Sequence, residues 1–272
     1  MKIIKLNRNN HQEAIKETIW ALKSGNLVVF PSDTVYGLLT DSTNPLAIDK
    51  LLVFKDRPIG KAISVFVSDQ KMAEKYVVLN QNAKNIINNL LPGPFTAICE
   101  SRHKTDPRLE TEDKTLGFRI PDFPLIIKLV SQFGRPITAT SANLSGQPPF
   151  YSAQKLISAL SNKKKKLIDL VIDAGTLPKH KPSTIIDTTS GELKTLRLGD
   201  LFPSAPNKLI SKSEKETIEL GRFLATKFIK KSFSKPLIFL LQGELGTGKT
   251  ILTKGVGKAL KIKTASGSAG IR

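Results

Sequence analysis

Basic side chains occur at three places where they could bind an anion. The stretch FKDRPIGK holds Lys55, Arg57 and Lys61 within seven residues. Two further arginines interrupt apolar segments, Arg119 in LGFRI and Arg197 in KTLRLG. An arginine between apolar neighbours in a strand usually pairs with a carboxylate or a phosphate. These residues predict a site for an anionic ligand, with an exposed basic loop as the alternative for FKDRPIGK.

Hydroxyl and amide side chains occupy two predicted loops. Ser141 and Asn143 lie in TATSANLSG, where an apolar strand gives way to polar residues. A turn or a helix cap is the alternative there, because serine and asparagine satisfy backbone groups well. The loop PSDTVYG, which contains Thr34, follows the apolar strand LVVF. Ligands often bind at such strand ends, so both loops are candidates for ligand contacts.

The segment QGELGTGKT fits the phosphate-loop pattern G-x-x-x-x-G-K-[ST] through Gly243, Gly248, Lys249 and Thr250. A strand, PLIFLLQ, is predicted before it and a helix, KTILTKGVGKAL, after it, which is the context that such a loop requires. In a working loop Lys249 reaches the β- and γ-phosphates and Thr250 holds Mg²⁺. A later strand must supply an acidic metal partner, and 22 residues follow Thr250. We therefore expect a truncated or degenerate domain whose loop is vestigial.

The charge balance is strongly positive. The 272 residues include 42 Lys and Arg against 23 Asp and Glu, a net charge of +19. Such a field attracts polyanions such as nucleotides, pyrophosphate or RNA. The run KKKK at 163–166 is predicted to be a solvated helix end or loop. No segment approaches the ~18 apolar residues of a membrane span, and the N-terminus has no secretory pattern. We therefore expect a cytoplasmic protein with no membrane partner.

Strands and helices alternate along most of the chain. Residues 12–24 predict an amphipathic helix that ends at Gly25. Further helices are predicted in PLAIDKLLVF, in PLIIKLVSQFG and near 152–162, and strands in LVVF, AISVFV, FTAIC, LGFRI, PITATSA, LVID and on both sides of a Ser190-Gly191 turn. Cys99, in FTAIC, is expected to be a buried strand residue. The alternation predicts an α/β fold with one mixed sheet flanked by helices.

The chain is predicted to contain two domains. The first covers residues 1–201, and residues 202–212, with two prolines and no period, are predicted to be a linker. The second region covers 213–272 and starts with a capping-box pattern, Ser213 and Glu216, before an amphipathic helix. One strand and two helices cannot cover both faces of a sheet. We therefore expect this incomplete P-loop α/β fragment to be loosely held or dependent on a partner.

Six segments together resemble one enzyme family. PSDTVYGL, KDRPIGK, LPGPFT, LGFRIPD, TSANLSG and PSTIID occur in the order and at about the spacing found in the YrdC/TsaC family, the L-threonylcarbamoyladenylate synthases. The resemblance covers the chain from about residue 10 to about residue 200. Ser32 stands where many members have threonine, which is a conservative difference. The resemblance implies the YrdC-type fold, a twisted mixed sheet with flanking helices and a basic concave surface.

The resemblance also implies a reaction. L-threonine, bicarbonate or CO2, and ATP give threonylcarbamoyl-AMP and pyrophosphate, with Mg²⁺ accompanying ATP, and the product serves the N6-threonylcarbamoyladenosine modification of tRNA. The family signature K-x-R … S-x-N implies catalytic roles for Lys55, Arg57, Ser141 and Asn143. Contacts with ATP are implied for Arg57, Lys61, Thr115, Ser141, Asn143 and Arg197. Contacts with threonine are implied for Thr34, Arg119 and Ser183, with Arg119 on the carboxylate. Lys55 is implied to be a phosphate or electrostatic partner.

Residues 211–263 resemble the N-terminal part of TsaE, the P-loop ATPase of the same tRNA-modification pathway. The two resemblances together make tRNA and the pathway proteins TsaB and TsaD candidate partners. Two other functions stay open: a module that binds tRNA or double-stranded RNA without catalysis, and an ATPase that uses the phosphate loop. An electrostatic RNA binder has no need for the K-x-R … S-x-N set. We therefore predict a nucleotidyltransferase.

Overall fold

The computed structural model of the chain describes residues 1–56, 61–190, 194–205, 208–229 and 241–262. The chain divides into two compact units, Met1–Gly199 and Asp200–Arg272. Within the described ranges, no helix combines the length and the apolar character that crossing a membrane requires.

The first unit alternates strands and helices, as predicted. Its strands are β1 (Lys2–Lys5), β2 (Leu27–Phe30), β3 (Gly37–Leu39), β4 (Val65–Phe66), β5 (Phe95–Glu100), β6 (Thr115–Arg119), β7 (Ile137–Thr138), β8 (Thr140–Ser141), β9 (Ile168–Asp173), β10 (Thr184–Asp187) and β11 (Lys194–Arg197). Its helices are α1 (His11–Lys23), α2 (Pro45–Lys55), α3 (Gln70–Tyr76), α4 (Gln81–Leu90), a 3₁₀ turn (Pro107–Leu109), α5 (Pro124–Phe133), α6 (Ala153–Ala159) and α7 (Asn162–Lys165). The helix predicted near 152–162 is divided between α6 and α7.

The strands of the first unit form two mixed sheets. One has five strands in the order β1-β9-β2-β3-β8, and the other has six in the order β11-β10-β5-β6-β4-β7. Each sheet combines parallel and antiparallel pairs; β2 is parallel to β9 and antiparallel to β3, for example. The predicted α/β fold with mixed strand pairing is confirmed, and the single sheet that we expected is corrected to two.

The division into two sheets occurs within the segment PITATSA, which we predicted to be one strand. Thr138 pairs with Val65 of the six-stranded sheet, whereas Thr140 pairs with Leu38 of the five-stranded sheet. Ala139 lies between them and donates its N–H to the carbonyl oxygen of Ser64, at 2.7 Å. The apolar pattern of the segment did not indicate this change, because each of the two strands has only two residues, which is too few to show a period.

Local sequence signals explain the ends of several helices. Gly25 follows α1 with a φ of +71°, and Gly134 follows α5 with a φ of +79°, a region that glycine enters without strain. Asn44 caps α2 by accepting hydrogen bonds from the N–H groups of its first turn. Asp56 ends α2 in the left-handed region, at a φ of +45°, where an aspartate is unusual.

The core of the first unit lies along the central strands. The four residues of β2 are fully buried, and the large side chains that are completely enclosed include Phe30, Tyr36, Phe95 and Phe118. Cys99 is also buried, which confirms the sequence expectation, and burial raises the pKa of its thiol to about 11. A thiol in this environment stays protonated and packs as a small apolar side chain.

The second unit contains β12 (Phe202–Ala205), β13 (Lys208–Ile210), α8 (Glu214–Ile229) and α9 (Lys249–Ala259). β12 and β13 pair antiparallel within the range 202–212, so our prediction of an irregular linker there is corrected. Strands of three or four residues are too short to show a period. The N–H of Glu216 donates to Ser213 Oγ at 3.2 Å, which confirms the predicted helix cap. The strand predicted in PLIFLLQ falls largely outside the described residues.

Two glycines set the distance between α8 and α9. A Cβ atom on Gly221 would lie 2.2 Å from the carbonyl oxygen of Leu252, and one on Gly255 would lie 2.1 Å from that of Ile218. No side chain fits at such distances, so the two helix backbones are in direct contact there. This contact fixes the helix that precedes the phosphate loop against the helix that follows it.

Candidate active site

The six-stranded sheet places five residues of one cavity in a single row. Ile185 pairs with Arg197 of β11 on one side and with Thr96 of β5 on the other. The antiparallel ladder of β5 and β6 then sets Thr96 opposite Arg119, which pairs with Phe66 of β4. Because neighbouring strands lie 4.7–4.9 Å apart, the α-carbons of the two arginines are separated by roughly 14 Å. The row therefore presents a cation towards each end.

Arg119 is held in place by a carboxylate. Its Nη2 donates to both oxygens of Asp33, at 2.8 and 3.0 Å, and its guanidinium carbon lies 5.2 Å from the centre of the Phe66 ring. The residue is 5% exposed, and its Nε has no hydrogen-bond partner among the described residues. A buried donor without a partner costs about 1–3 kcal/mol. Arg119 has the carboxylate partner that we predicted for a strand arginine. Its Nε can still donate to a second carboxylate.

Arg197 lies at the other end of the row and binds Ser183. Its Nε donates to the carbonyl oxygen of Ser183 and its Nη2 to Ser183 Oγ, both at 3.0 Å. Ser183 Oγ also shares a 2.8 Å hydrogen bond with Thr96 Oγ1. Burial lowers the pKa of Arg197, and the positive charge of Arg119 lowers it further. An anion bound near the two arginines would relieve this repulsion.

The ammonium of Lys55 binds the loop that contains Ser141 and Asn143. Lys55 is 2% exposed, and its Nζ donates to the carbonyl oxygen of Ser141 at 2.8 Å and to Oδ1 of Asn143 at 3.1 Å. Ser141 Oγ donates to the same Oδ1, and Asn143 Nδ2 donates to the carbonyl oxygen of Gln147. The carbonyl oxygen of Lys55 accepts the N–H of Ser145, at 3.0 Å. Lys55 therefore orients this loop from both its side chain and its backbone.

The loop after β2 supplies two further groups. Ser32 Oγ donates to the carbonyl oxygen of Val35 at 2.6 Å and accepts the N–H groups of Thr34 and Val35, both at 3.2 Å. It also lies 3.2 Å from Thr34 Oγ1. Ser32 therefore orients the Thr34 hydroxyl, which the resemblance implies contacts the substrate L-threonine. Asp33 in the same loop accepts the N–H of Asp122 at 3.2 Å in addition to its bonds with Arg119.

These groups surround a cavity of about 370 Å³, which is within the range of small-molecule sites. It is lined by these predicted site residues: Thr34, Lys55, Lys61, Arg119, Ser141, Asn143, Ser183 and Arg197. Arg57 lies outside the described residues. Thr115 does not line the cavity as far as the described residues define it. It begins β6 on the same face as Arg119, roughly 13 Å away at about 3.3 Å per residue, and Thr111 binds its hydroxyl.

Several polar residues of the cavity were not predicted. They are Ser64, Thr96, Thr140, Ser145 and Gln147. Ser64 precedes β4 and Thr96 lies in β5, both within apolar segments where a single hydroxyl is common and gives no signal of a site. Ser145 lies within TSANLSG and Gln147 directly follows it. Both could have been proposed by treating the whole motif and the residue after it as part of the site. Asp33 was also missed as the partner of Arg119, although it lies in PSDTVYGL.

Carboxylates are absent from the described lining of the cavity, and the described ranges contain no cluster of three His, Cys, Asp or Glu that could hold a metal ion. The lining combines lysine, arginine, hydroxyl and amide groups. Such a set neutralises and orients phosphate and carboxylate groups, and it lacks a histidine base among the described residues. The arrangement can therefore promote a displacement at phosphorus by charge neutralisation and positioning.

The phosphate-loop residues of the second unit form a closed turn. Lys249 Nζ donates to the carbonyl oxygens of Gly243 and Glu244, at 2.8 and 2.7 Å. Gly248 precedes α9 with a φ of +84°, which places the loop at the N-terminus of that helix. The predicted helix after the loop is confirmed. In this conformation the Lys249 ammonium donates its hydrogen bonds to carbonyl oxygens of its own loop.

The first unit matches a known protein family. The family model Sua5/YciO/YrdC, described as telomere recombination, matches residues 20–199. The chain belongs to this family. A Sua5/YciO/YrdC relative from Photobacterium profundum, named threonylcarbamoyl-AMP synthase, is 31% identical over 65% of this chain and 95% of its own length. One of the same name from Vibrio cholerae is 32% identical over 69% of this chain and 98% of its own.

Solved structures of the Sua5/YciO/YrdC family share the fold. P. abyssi Sua5 complexed with L-threonine superposes with a TM-score of 0.68 at 27% identity and covers 74% of this chain. This chain spans 58% of the length of that protein. E. coli YciO superposes with a TM-score of 0.66 at 24% identity, covering 76% of this chain and 98% of its own, which shows the fold alone.

The second unit matches a different family. The model described as threonylcarbamoyl adenosine biosynthesis protein TsaE matches residues 211–270. Both resemblances drawn from the sequence are therefore confirmed, the first for the Sua5/YciO/YrdC region and the second for the region that holds the phosphate loop.

Proposed function

We propose that the chain is a threonylcarbamoyl-AMP synthase, a nucleotidyltransferase that forms threonylcarbamoyl-AMP and pyrophosphate from L-threonine, bicarbonate or CO2, and ATP. The observation that carries the proposal is the composition of one cavity. It joins Arg119, which has an unpartnered buried Nε, to the group of Lys55, Ser141 and Asn143. The first suits an amino-acid carboxylate and the second suits a nucleotide, so one cavity offers a place for both substrates.

The proposed chemistry needs positioning more than proton transfer. The amine of threonine adds to CO2, or to bicarbonate with loss of water, to give a carbamate. A carbamate oxygen then forms a bond to the α-phosphorus of ATP while the bond from that phosphorus to pyrophosphate breaks. Arg119 would hold the threonine carboxylate, and Lys61 and Arg197 would offset the charge of the phosphates. Ser141 and Asn143, oriented by Lys55, would contact ATP.

Each predicted substrate contact is proposed on the family resemblance and the position of the residue. Thr34, Arg119 and Ser183 are proposed for threonine, and Arg57, Lys61, Ser141, Asn143 and Arg197 for ATP. Thr115 stays a prediction that needs ATP to extend along β6 beyond the described cavity. The division into a synthase domain of residues 1–201 and a P-loop fragment of residues 213–272 is proposed in the same way.

Mg²⁺ was implied with ATP, but the described residues do not fit a protein-bound Mg²⁺. Magnesium is usually bound through one or two carboxylates, and the described lining of the cavity offers none. A Mg²⁺ that accompanies ATP would be held by the phosphates. We also propose tRNA as the acceptor of the product, TsaB and TsaD as partners, and the cytoplasm as the location. These three rest on the family resemblance.

The test is product analysis with the purified full chain. The protein is incubated with ATP, labelled bicarbonate and L-threonine, and threonylcarbamoyl-AMP and pyrophosphate are measured by chromatography. Equal amounts of the two products, formed only when threonine is present, are expected. Tight RNA binding without either product would overturn the proposal and favour the RNA-binding alternative.

A further inference from the structure

Lys164 differs from the lysines beside it in its contacts. Its Nζ donates to the carbonyl oxygen of Val53 at 2.6 Å, to that of Phe54 at 2.9 Å, and to Oδ1 of Asp56 at 2.6 Å. An ammonium has three N–H donors, so these three acceptors satisfy all of them. The side chain is 12% exposed, whereas Lys163 and Lys166 are exposed. The run 163–166 was predicted to be solvated, and this prediction is wrong for Lys164, whose side chain is largely enclosed.

The acceptors belong to the end of α2. The last carbonyl groups of a helix have no partner within the helix and carry partial negative charge, so a cation there is stabilising. Asp56 ends this helix with a positive φ, a conformation that costs an aspartate energy. Lys164 joins the Asp56 carboxylate to the exposed carbonyl groups across this strained end. It thereby holds the last turn of α2.

The backbone of Lys164 is well anchored. Ser161 caps the short helix α7 by accepting the N–H of Lys164 at 3.3 Å, and the carbonyl oxygen of Lys164 accepts the N–H of Leu167 at 3.0 Å. The chain then enters β9, which pairs with β1 and β2. A side chain on α7, just before a strand of the five-stranded sheet, thus holds the end of a helix that is remote in sequence.

The residue between the acceptors is Lys55. Its side chain binds Ser141 and Asn143, and its carbonyl oxygen binds Ser145. A displacement of the last turn of α2 would therefore move Lys55 and, with it, the loop of Ser141 and Asn143. It would not directly move Arg119, which lies on β6 and is held by Asp33 in the loop after β2.

We propose that Lys164 is a positioning residue for the nucleotide half of the cavity, which acts by holding the end of α2 and so fixing Lys55. The inference rests on the proposed synthase function for its kinetic consequence. Lys164 is not among the described residues that line the cavity. A displacement of about 1 Å in a positioned group can lower a rate by as much as ~10²-fold. Loss of the Lys164 contacts is expected to lower kcat/KM for ATP at least ~10-fold on the same grounds.

The test compares Lys164→Met with Lys163→Met and Lys166→Met, which remove the same charge from the same run. Kinetics on the full chain should show the loss in kcat/KM for ATP in Lys164→Met alone, with the KM for threonine within about twofold of wild type. Lys164→Arg, which keeps a charged donor, should recover part of the loss. Melting temperatures identify any variant that is unfolded. If Lys164→Met is unfolded, the kinetics of Lys164→Arg are compared with those of wild type instead.

A second readout does not depend on the activity. Amide hydrogen exchange in the last turn of α2 and in residues 141–147 should be faster in Lys164→Met than in Lys163→Met and Lys166→Met. If exchange and ATP kinetics were the same in all three variants, the inference would be wrong. If wild type made no adenylate, the proposed function would fail, and the exchange data alone would decide whether Lys164 holds these segments.

Discussion

Replacing Arg119 with lysine is expected to weaken the binding of L-threonine and to leave the binding of ATP nearly unchanged. The change keeps the positive charge and removes the planar guanidinium with its Nε donor. A lysine ammonium can still pair with Asp33, which lies 2.8 Å from Nη2 in the native pair. It has no second donor in the position of Nε, so the contact proposed for the threonine carboxylate is lost while the electrostatic neighbourhood of ATP is kept.

The magnitude follows from the burial of the pair. The Arg119 and Asp33 side chains are 6% and 7% exposed, so a charged hydrogen bond in this position is little weakened by water. Such a bond contributes about 1.5–3 kcal/mol, which corresponds to about a 10- to 150-fold rise in the KM for threonine. The KM for ATP is expected to change by less than about threefold, because the proposed ATP contacts are unaltered.

The measurement is threonine-dependent pyrophosphate release, titrating each substrate while the other is saturating. Arg135→Lys is the matched control, because Arg135 also pairs through Nη2 with an aspartate, Asp41, and stacks on a phenylalanine, Phe133. It does not line the described cavity, so its replacement should leave both KM values near wild type. Equal changes in the two KM values of Arg119→Lys would refute the assignment of this residue to threonine.

Four further outcomes are expected. Arg57→Ala and Asn143→Ala should each lower adenylate formation about 10²-fold or more by removing charge neutralisation and positioning, and near-normal rates in folded variants would contradict the site. Lys249→Ala should leave synthesis within about twofold, because the predicted substrate contacts lie in the first unit; an abolished rate would show that the phosphate loop takes part. Gly255→Val should destabilise the second unit by about 1–3 kcal/mol, since no side chain fits at the helix contact, and calorimetry with unchanged unfolding would argue against that contact. Cys99 should resist alkylation at about pH 8 in the native protein, because a pKa raised to about 11 keeps the thiol protonated; labelling at the rate of the denatured chain would contradict this.

Elements with strong local signals were predictable from the sequence. The end of α1 at Gly25 and both ends of α5, from Pro124 to Gly134, follow from residues whose backbone preferences act within a single turn. β1 and β3 were not predicted, because KIIK and GLL show too little alternation to mark a strand, whereas the four residues of β2 are all apolar.

The residues that form the site could be predicted, but their contacts could not. The motifs identified Lys55, Arg119, Ser141 and Asn143 as members of one site before their distances were known. The contacts between them were not predictable, because they depend on sheet register. Asp33 and Arg119 are 86 residues apart in the chain, and no local pattern relates them. The same limit hid Lys164, whose three acceptors precede it by more than a hundred residues.

The change of sheet at Ala139, between β7 and β8, means that residues of both sheets line one cavity. Ser141 and Asn143 follow Ala139 into the five-stranded sheet, whereas Arg119 and Arg197 belong to the six-stranded sheet. The distance from Ser141 to Arg119 thus depends on how the two sheets pack against each other. A substitution at Ala139 would therefore change the distance between groups on the two sheets while leaving the contacts within each sheet intact.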